Sequence, residues 1–367
     1  KWQTLVGSNL GFNLWMFNSR IKIDVEVYRN RIKDMFYDKL QIPSYTGFSA
    51  MAANVGTMDN QGWELLINTI PYKTKNWRIG FDFNMSRNTN IIRSISPFYP
   101  RENRIKIDQN GIYKTYLQIG NPFGSFYGYK YEGVYTDKEA TLVRDAAGKQ
   151  VTGANGEQLY MRFAYPSVDY TFQAGDAKYA DINHDGNIDD QDIVYLGNGL
   201  PKITGGFGLN VTFMERLKLI TFFDYKLDYD VVNQADMNLT SMYGFNNQST
   251  AVLSRWRNPG DITNMPRALY RSGYNWLGSS RYVQDASYVR LQAVTLRYNF
   301  GPKLLNRLRV RSAAFYVTVE NLYTWTKYKG QNPDVSIVGD NDPFAYPKDD
   351  ALTPPSRNVL FGLNVSF

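Results

Sequence analysis

The feature that most constrains the fold of this chain is a strict alternation of apolar and polar residues in several short segments. In residues 21–27 every second residue is Ile or Val, and the residues between them are Lys, Asp and Glu. Successive side chains of a strand point to opposite faces of a sheet, so this pattern gives one apolar and one polar face. The pattern predicts about nine strands, at residues 10–16, 21–27, 63–69, 77–86, 206–213, 217–227, 289–300, 315–322 and 359–367.

The alternation changes phase once within a predicted strand. Val289 and Leu291 occupy odd positions, whereas the apolar residues from Val294 onward occupy even positions. A single extra residue in one strand, a β-bulge, produces such a change. We therefore predict a bulge near Gln292 or Ala293.

The connections between the predicted strands are short and long in strict turn. The short ones lie at 17–20, 71–76, 214–216 and 301–308, and the long ones at about 36–53, 92–202, 230–282 and 325–356. Outer-membrane β-barrels have short turns at the periplasmic rim and long loops at the extracellular rim. A soluble β-sandwich also alternates, but has no reason to segregate its connections in this way. The predicted fold is all-β, an antiparallel transmembrane β-barrel section with long extracellular loops.

Composition agrees with this fold and excludes other classes. Apolar residues make up 43% of the chain, without the roughly 20 consecutive apolar residues of a membrane-spanning helix. The 28 Tyr residues suit the aromatic girdles of a barrel. The net charge of +7 is spread along the strands, so nucleic acid is not an expected partner. The chain has no Cys and a single His, His184, and common nucleophilic and zinc-based active sites cannot be assembled from it.

The predicted topology requires additional barrel strands from outside residues 1–367. If the C-terminus is periplasmic, counting back makes every short connection periplasmic and every long one extracellular. Single-chain bacterial barrels use even strand numbers, whereas about nine are predicted here. Since an open sheet edge cannot face lipid, we expect the remaining strands from upstream sequence or another chain.

Five segments resemble the SusC/RagA family of TonB-dependent outer-membrane transporters. They are 45–64 (YTGFSAMAANVGTMDNQGWE), 122–129 (PFGSFYGY), 175–186 (GDAKYADINHDG), 320–330 (ENLYTWTKYKG) and 361–367 (FGLNVSF). The resemblance implies that residues 1–367 are the C-terminal section of a 22-stranded barrel, without the plug domain. It further implies import of oligosaccharides or peptides, a SusD-like surface lipoprotein as partner, and coupling to TonB through the missing N-terminal part.

Residues 181–192 have the spacing of a calcium-binding loop. Calcium takes six to eight oxygen ligands, and Gly186 at the sixth position permits the turn that gathers them. The predicted ligands are Asp181, Asn183, Asp185, Asn187, Asp189 and Asp192. Asp192 replaces the usual Glu, as in dockerin-type loops. The expected role of the ion is structural, and the alternative is a turn that caps itself with side-chain to backbone hydrogen bonds.

Aromatic residues of the long loops are the candidate ligand contacts. They are Tyr243, Trp256, Trp276, Tyr282 and Trp325. For each, the alternative is loop packing or an interface girdle. The neighbouring carboxylates Asp349 and Asp350 are interpreted as solvated loop charges.

The last strand carries an expected assembly signal. Its apolar residues are Val359, Phe361, Leu363, Val365 and Phe367. They are predicted to face outer-membrane lipid and to be recognised by the barrel-assembly machinery. Two other functions remain open at this stage: a structural subunit of a larger outer-membrane complex, and a soluble all-β calcium-dependent adhesin or glycan-binding module.

Overall fold

The computed structural model describes residues 1–41, 44–48, 50–96, 113–115, 118–164, 168–335 and 345–367. Nine long strands form one antiparallel sheet, and each strand pairs with its neighbours in sequence. The strands are β1 (Thr4–Met16), β2 (Ile21–Gln41), β3 (Ala50–Lys73), β4 (Trp77–Ile95), β5 (Ile203–Phe213), β6 (Leu217–Leu227), β7 (Tyr288–Asn299), β8 (Ser312–Thr326) and β9 (Asn358–Ser366). The predicted number and order of strands are confirmed.

The register of the sheet puts the alternating apolar residues on one continuous face. Val25 of β2, for example, pairs with Phe12 of β1 and Leu65 of β3. Much of this face is open, and at Phe361 of β9 the exposed fraction reaches 70%. Monomeric soluble proteins rarely expose an apolar surface of this extent, whereas the lipid-facing wall of a barrel does so along every strand.

The opposite face of the sheet is polar and hydrogen bonded across strands. The carboxylate of Asp82 accepts hydrogen bonds from Asn68 Nδ2 at 2.8 Å and Asn210 Nδ2 at 2.5 Å. The Tyr28 hydroxyl donates to Asn88 Oδ1 at 3.2 Å. These side-chain hydrogen bonds provide partners for polar groups of β2 to β5. In a barrel, a polar face of this kind lines the lumen.

The predicted bulge is confirmed at Gln292. In the pairing of β6 with β7, Leu291 lies opposite Phe223 and Ala293 lies opposite Phe222, so Gln292 has no opposite residue. The β8 strand is irregular at the same level, where Asn321 has a φ of 54°. The extra residue restores the apolar side chains of β7 to the apolar face.

The connections differ from their predicted bounds because strand pairing continues beyond the alternating pattern. At one end of the sheet the connections are 42–49, 96–202, 228–287 and 327–357, so the predicted loop 36–53 was too long. At the other end they are 17–20, 74–76, 214–216 and 300–311. The predicted difference in length therefore fails for one pair, because connection 42–49 is shorter than connection 300–311. In β2 the alternation of apolar and polar residues stops after Val27, whereas the backbone pairing with β3 continues to Gln41.

The described parts of the connections contain two short α-helices and several short strands. The helices α1 (Gln234–Thr240) and α2 (Pro302–Leu308) are about two turns long, and α2 lies in connection 300–311. None of the helices in the described ranges is long and apolar enough to cross a membrane. Short loop strands occur at Ser125–Tyr129, Tyr131–Val134, Arg162–Phe163, Tyr170–Thr171, Ala177–Tyr179, Asn187–Ile188, Ile193–Asn198, Asp230–Val232 and Val283–Asp285.

The long connections pack into a core of their own, which we call the loop core. Its fully buried members include Tyr129, Phe163, Ile188 and Leu277, so it joins connection 96–202 to connection 228–287. The loops therefore form a packed layer at the end of the sheet that carries the long connections. Most buried aromatic side chains of the described chain lie in this layer rather than in the sheet.

Candidate functional site in the loop layer

A cavity of about 850 Å³ lies where the three longest connections meet. Its lining residues come from chain segments far apart in sequence. The principal ones are Tyr131, Glu132, Asn233, Asp236, Met265, Arg281, Lys329 and Asp349. A volume of this order matches the usual range of ligand sites, so this cavity is the candidate functional site.

Hydrogen bonds around α1, one of them to a side-chain cap, hold the walls of the cavity together. Asn233 caps α1, because its Oδ1 accepts a hydrogen bond from the Asp236 N–H at 2.9 Å. The Asn233 N–H donates to the Tyr282 carbonyl at 2.9 Å, and the Ala235 N–H donates to the Asp349 carbonyl at 2.9 Å. These bonds fix α1 to connection 327–357, so the two sides of the cavity are positioned by secondary structure.

The cavity offers charges of both signs beside aromatic surface. Carboxylates and basic groups line the same space. The Arg281 guanidinium lies over the rings of Tyr131 and Tyr282, 5.4 and 5.1 Å from their centroids. Burial raises the pKa of Tyr131 to about 12, and its hydroxyl donates a hydrogen bond to the Asn264 carbonyl at 2.7 Å. Mixed charge and ring surface suit a polar ligand such as a peptide or a glycan.

The interpretation of Asp349 as a solvated charge was wrong. Its exposed fraction is 1%, and its carboxylate accepts hydrogen bonds from the Tyr328 hydroxyl at 2.7 Å and the Leu352 N–H at 2.9 Å. These donors replace water around the buried group. Asp350, in contrast, is half exposed and lies 3.6 Å from Lys348 Nζ, as expected for a solvated charge.

The five predicted aromatic contacts do not line the cavity. Tyr282 is fully buried, and Trp256, 9% exposed, donates from Nε1 to the Thr136 carbonyl at 3.0 Å. Tyr243 and Trp276 lie against each other with ring centroids 5.5 Å apart, and Trp276 packs on the loop core. These four positions match the loop-packing alternative.

Trp325 lies on the apolar face of the sheet, away from the loop core. Its ring is 6.2 Å from that of Phe223 and 4.8 Å from that of Tyr323. A group of rings near the loop end of the sheet is the arrangement of an interface girdle. No local signal in the sequence marks the residues that do line the cavity, because they come from three separate connections.

The predicted calcium loop forms a compact turn with many internal hydrogen bonds. The Asp181 carboxylate accepts from the Asp185 and Gly186 N–H groups at 3.2 and 2.8 Å. The Asp192 carboxylate is fully buried and accepts from the Ile182 and Asp189 N–H groups at 2.7 and 2.9 Å. Burial raises the pKa of Asp192. These bonds match the self-capped turn that was the alternative to metal binding.

Whether the same residues also suit calcium depends on their remaining oxygen atoms. Nowhere in the described ranges do three His, Asp or Glu side chains converge as a metal site. Asn187 Oδ1 is buried without a hydrogen-bond partner, and exposed His184 has a left-handed φ of 59°, which turns the chain at the fourth position of the loop. Calcium binding therefore stays a prediction.

We expect calorimetry on the barrel that contains this chain to detect calcium binding at millimolar affinity or better. The Asp181→Asn and Asp185→Asn variants should weaken it, because each removes a negative charge from the loop. Asp169→Asn is the matched control in the same connection, since Asp169 pairs with Arg162 at the surface. Heat of binding equal in all variants, or none in the unsubstituted protein, would contradict the prediction.

The terminal strand β9 presents the predicted row of apolar side chains. Val359, Phe361 and Leu363 pair with Val319, Val317 and Phe315 of β8. All three are more than half exposed, as is the final residue Phe367, at 84%. The row therefore lies on the open apolar face.

Deleting Phe367 should reduce the amount of folded barrel in the membrane, because the terminal aromatic ring is part of the expected assembly signal. The measurement is the heat-modifiable band of the full-length protein in outer-membrane fractions. Replacing Phe367 with Tyr keeps the ring and should restore assembly. Equal amounts of folded protein with and without the residue would contradict the role.

The comparisons with known proteins point to one class of transporter. No protein-family model matches the chain. TonB-dependent receptor P39 of Formosa agariphila is 28% identical over the whole chain and 36% of its own length. TonB-dependent receptor SusC of Bacteroides thetaiotaomicron is 25% identical over the whole chain and 32% of its own length. The structure of the RagAB peptide transporter superposes with a TM-score of 0.71 at 23% identity, over the whole chain and 36% of that chain.

The fold is therefore a section of an antiparallel β-barrel of the TonB-dependent transporter type. The resemblance to the SusC/RagA family is confirmed, since the sequence relatives match it from end to end. The relatives are receptors and transporters rather than enzymes, and TonB-dependent receptors are outer-membrane proteins. The chain spans about a third of the length of the relatives it matches.

Proposed function

We propose that this chain is the C-terminal part of the barrel wall and loop layer of a SusC-like importer of oligosaccharides or peptides. In this proposal the long connections are extracellular, the C-terminus is periplasmic, and a SusD-like lipoprotein covers the loop layer. TonB acts through a plug domain outside residues 1–367. The observation that carries the proposal is the cavity between the three longest connections, at the loop end of a barrel wall of the transporter type.

The open sheet supports the part of the proposal that concerns the rest of the barrel. Within the described sheet, β1 pairs only with β2, and β9 pairs only with β8. Each outer edge carries backbone N–H and C=O groups that lipid cannot satisfy. Further strands must therefore pair with both edges when the wall is in a membrane.

The proposal is tested by uptake in a strain that carries the complete gene. Deleting the gene should abolish uptake of one class in a panel of defined oligosaccharides and oligopeptides. Unchanged uptake across the panel, with the protein absent, would favour a structural subunit. Recovery of the protein in the soluble fraction without detergent would favour an adhesin or binding module.

A pair of charge changes in the cavity makes the test specific. The double variant Asp236→Asn, Lys329→Gln leaves the net charge unchanged and removes one group of each sign from the lining. We expect uptake at limiting substrate to fall about tenfold or more, as for the loss of charged hydrogen-bond partners. The control is Lys348→Gln, Asp350→Asn, which removes an exposed ion pair of the same connection. Equal uptake by the two double variants would exclude the cavity as a substrate site.

A further inference from the structure

Three arginines surround one buried carboxylate on the apolar side of the wall. Asp59 of β3 is fully buried. Its carboxylate accepts two hydrogen bonds from Arg31, at 2.6 and 2.9 Å, one from Arg29 Nη2 at 2.6 Å and one from Arg93 Nε at 2.9 Å. The three arginines belong to β2 and β4, so the cluster bridges three neighbouring strands.

The register places this cluster on the outward, lipid-facing side. Asp59 is separated from Trp63 by an even number of residues in an unbroken stretch of β3, and Trp63 pairs with Val27 on the apolar face. Arg31 lies directly opposite Asp59 in the ladder. Since the guanidiniums contact the same carboxylate, all four side chains share the face of the apolar band.

The height of the cluster matches the outer boundary of that band. Ten residues separate Ile21, the first apolar residue of β2, from Arg31. At about 3.4 Å per residue and a strand tilt of about 40°, they rise about 26 Å. The apolar band of an outer-membrane barrel is about 25 Å tall. The cluster therefore lies where acyl chains end and lipid headgroups begin, at the end of the sheet that carries the long connections.

Asp59 does not balance the charge of the cluster. A guanidinium remains protonated at any physiological pH, so three arginines and one carboxylate leave two positive charges. Among the described residues, no other acidic group forms an ion pair with these arginines. Their side chains are 51%, 38% and 41% exposed, and only four of their N–H donors are directed to Asp59. Guanidinium groups with free donors match the oxygen geometry of phosphate.

We propose that Arg29, Arg31 and Arg93 form a binding site for the phosphate group of an outer-leaflet lipid, a phosphorylated glycolipid of the lipopolysaccharide class. Asp59 orients the guanidiniums and keeps them on the wall, while the acyl chains of the lipid lie along the apolar band below. The proposal rests on the proposed placement of the chain in the outer membrane.

The test compares two double variants of the full-length barrel. Arg29→Gln, Arg93→Gln removes two positive charges but keeps the paired contact of Arg31 with Asp59, so the buried carboxylate retains its partner. The matched control, Arg78→Gln, Lys218→Gln, removes two positive charges that line a recess on the polar face. Folding is checked by the heat-modifiable band, and the single variant Arg93→Gln replaces the double variant if the latter does not fold.

The readout is binding of purified lipopolysaccharide, of its dephosphorylated form and of inorganic phosphate to the detergent-solubilised barrel, measured by native mass spectrometry. We expect the unsubstituted protein and the polar-face control to bind the phosphorylated lipid at least about tenfold more tightly than the dephosphorylated form. The Arg29→Gln, Arg93→Gln variant should lose that difference. The proposal would be overturned if this variant prefers the phosphorylated lipid as strongly as the unsubstituted protein does. It would also be overturned if inorganic phosphate binds as tightly as the lipid. Absence of the full-length protein from the outer membrane would overturn its placement as well, and fractionation detects this before lipid is added.

Discussion

Replacing Arg267 with Leu is expected to lower the stability of the loop core by about 3 kcal/mol, because it leaves a buried carboxylate without its counter-ion. Arg267 Nε lies 2.7 Å from Oδ1 of Asp176, which is fully buried. The pair joins connection 96–202 to connection 228–287. The Tyr170 hydroxyl and the Gln173 N–H also donate to Asp176, at 2.8 Å each, so part of its hydrogen bonding survives the change.

The measurement is hydrogen exchange of the loop residues in the assembled barrel, where local opening should become easier by about two orders of magnitude while exchange in β2–β4 stays unchanged. The matched control is Arg162→Leu. Arg162 Nη2 also lies 2.7 Å from an aspartate, Asp169, but both side chains are more than half exposed. An exposed pair contributes little, so the control should exchange like the unsubstituted protein. Equal effects of the two substitutions would contradict the assignment of Asp176 as a buried link.

Replacing Gly205 of β5 with Ala should destabilise the wall by about 3 kcal/mol, at the upper end of the cost of overpacking. A Cβ atom at this position would lie 2.2 Å from the backbone oxygen of Asn84 and 2.5 Å from the hydroxyl of Tyr225. Tyr225 crosses over the glycine, and its hydroxyl donates to the Asn84 carbonyl at 2.9 Å. The backbone oxygen cannot move without separating β4 from β5.

Alanine substitutions at two other glycines of the sheet are expected to have smaller effects on stability. The three atoms nearest to a Cβ on Gly362 belong to the Tyr316 side chain, the first at 2.1 Å. The far end of a side chain can move aside more easily than backbone, so a smaller loss is expected. A Cβ on Gly80 would meet its nearest atom at 3.6 Å, and Gly80→Ala should assemble normally. Urea unfolding of the folded barrel in detergent measures the order of the three losses of stability. An Ala at Gly80 that destabilises as much as one at Gly205 would show that strand propensity, rather than close approach, sets the effect.

The wall of this protein could be derived from the sequence because a membrane imposes a local rule. Each spanning strand must show apolar side chains to lipid and polar ones to the lumen, so every second residue carries the signal. The same rule located the bulge at Gln292, where a single extra residue shifts the phase. The alternation is required only where a strand faces lipid. The strands β2 and β3 continue beyond that region without alternating, so the predicted loop 36–53 was too long.

The loop layer was decided by tertiary structure alone. Asp349 can be buried because the Tyr328 hydroxyl and the Leu352 N–H replace its hydration. The Leu352 contact is local, but Tyr328 is distant in sequence and no local pattern marks its contact with Asp349. The aromatic residues Trp256 and Tyr282, which their position in the long loops suggested as ligand contacts, are buried in the loop layer instead. The cavity lined by three connections and the cluster of Asp59 with three arginines from two neighbouring strands depend on contacts between distant residues. The sequence by itself determined which residues form the wall, because each strand must meet the apolar and polar environments on its own two faces. Which residues are available to a ligand was decided only by the packing of segments that are distant in sequence.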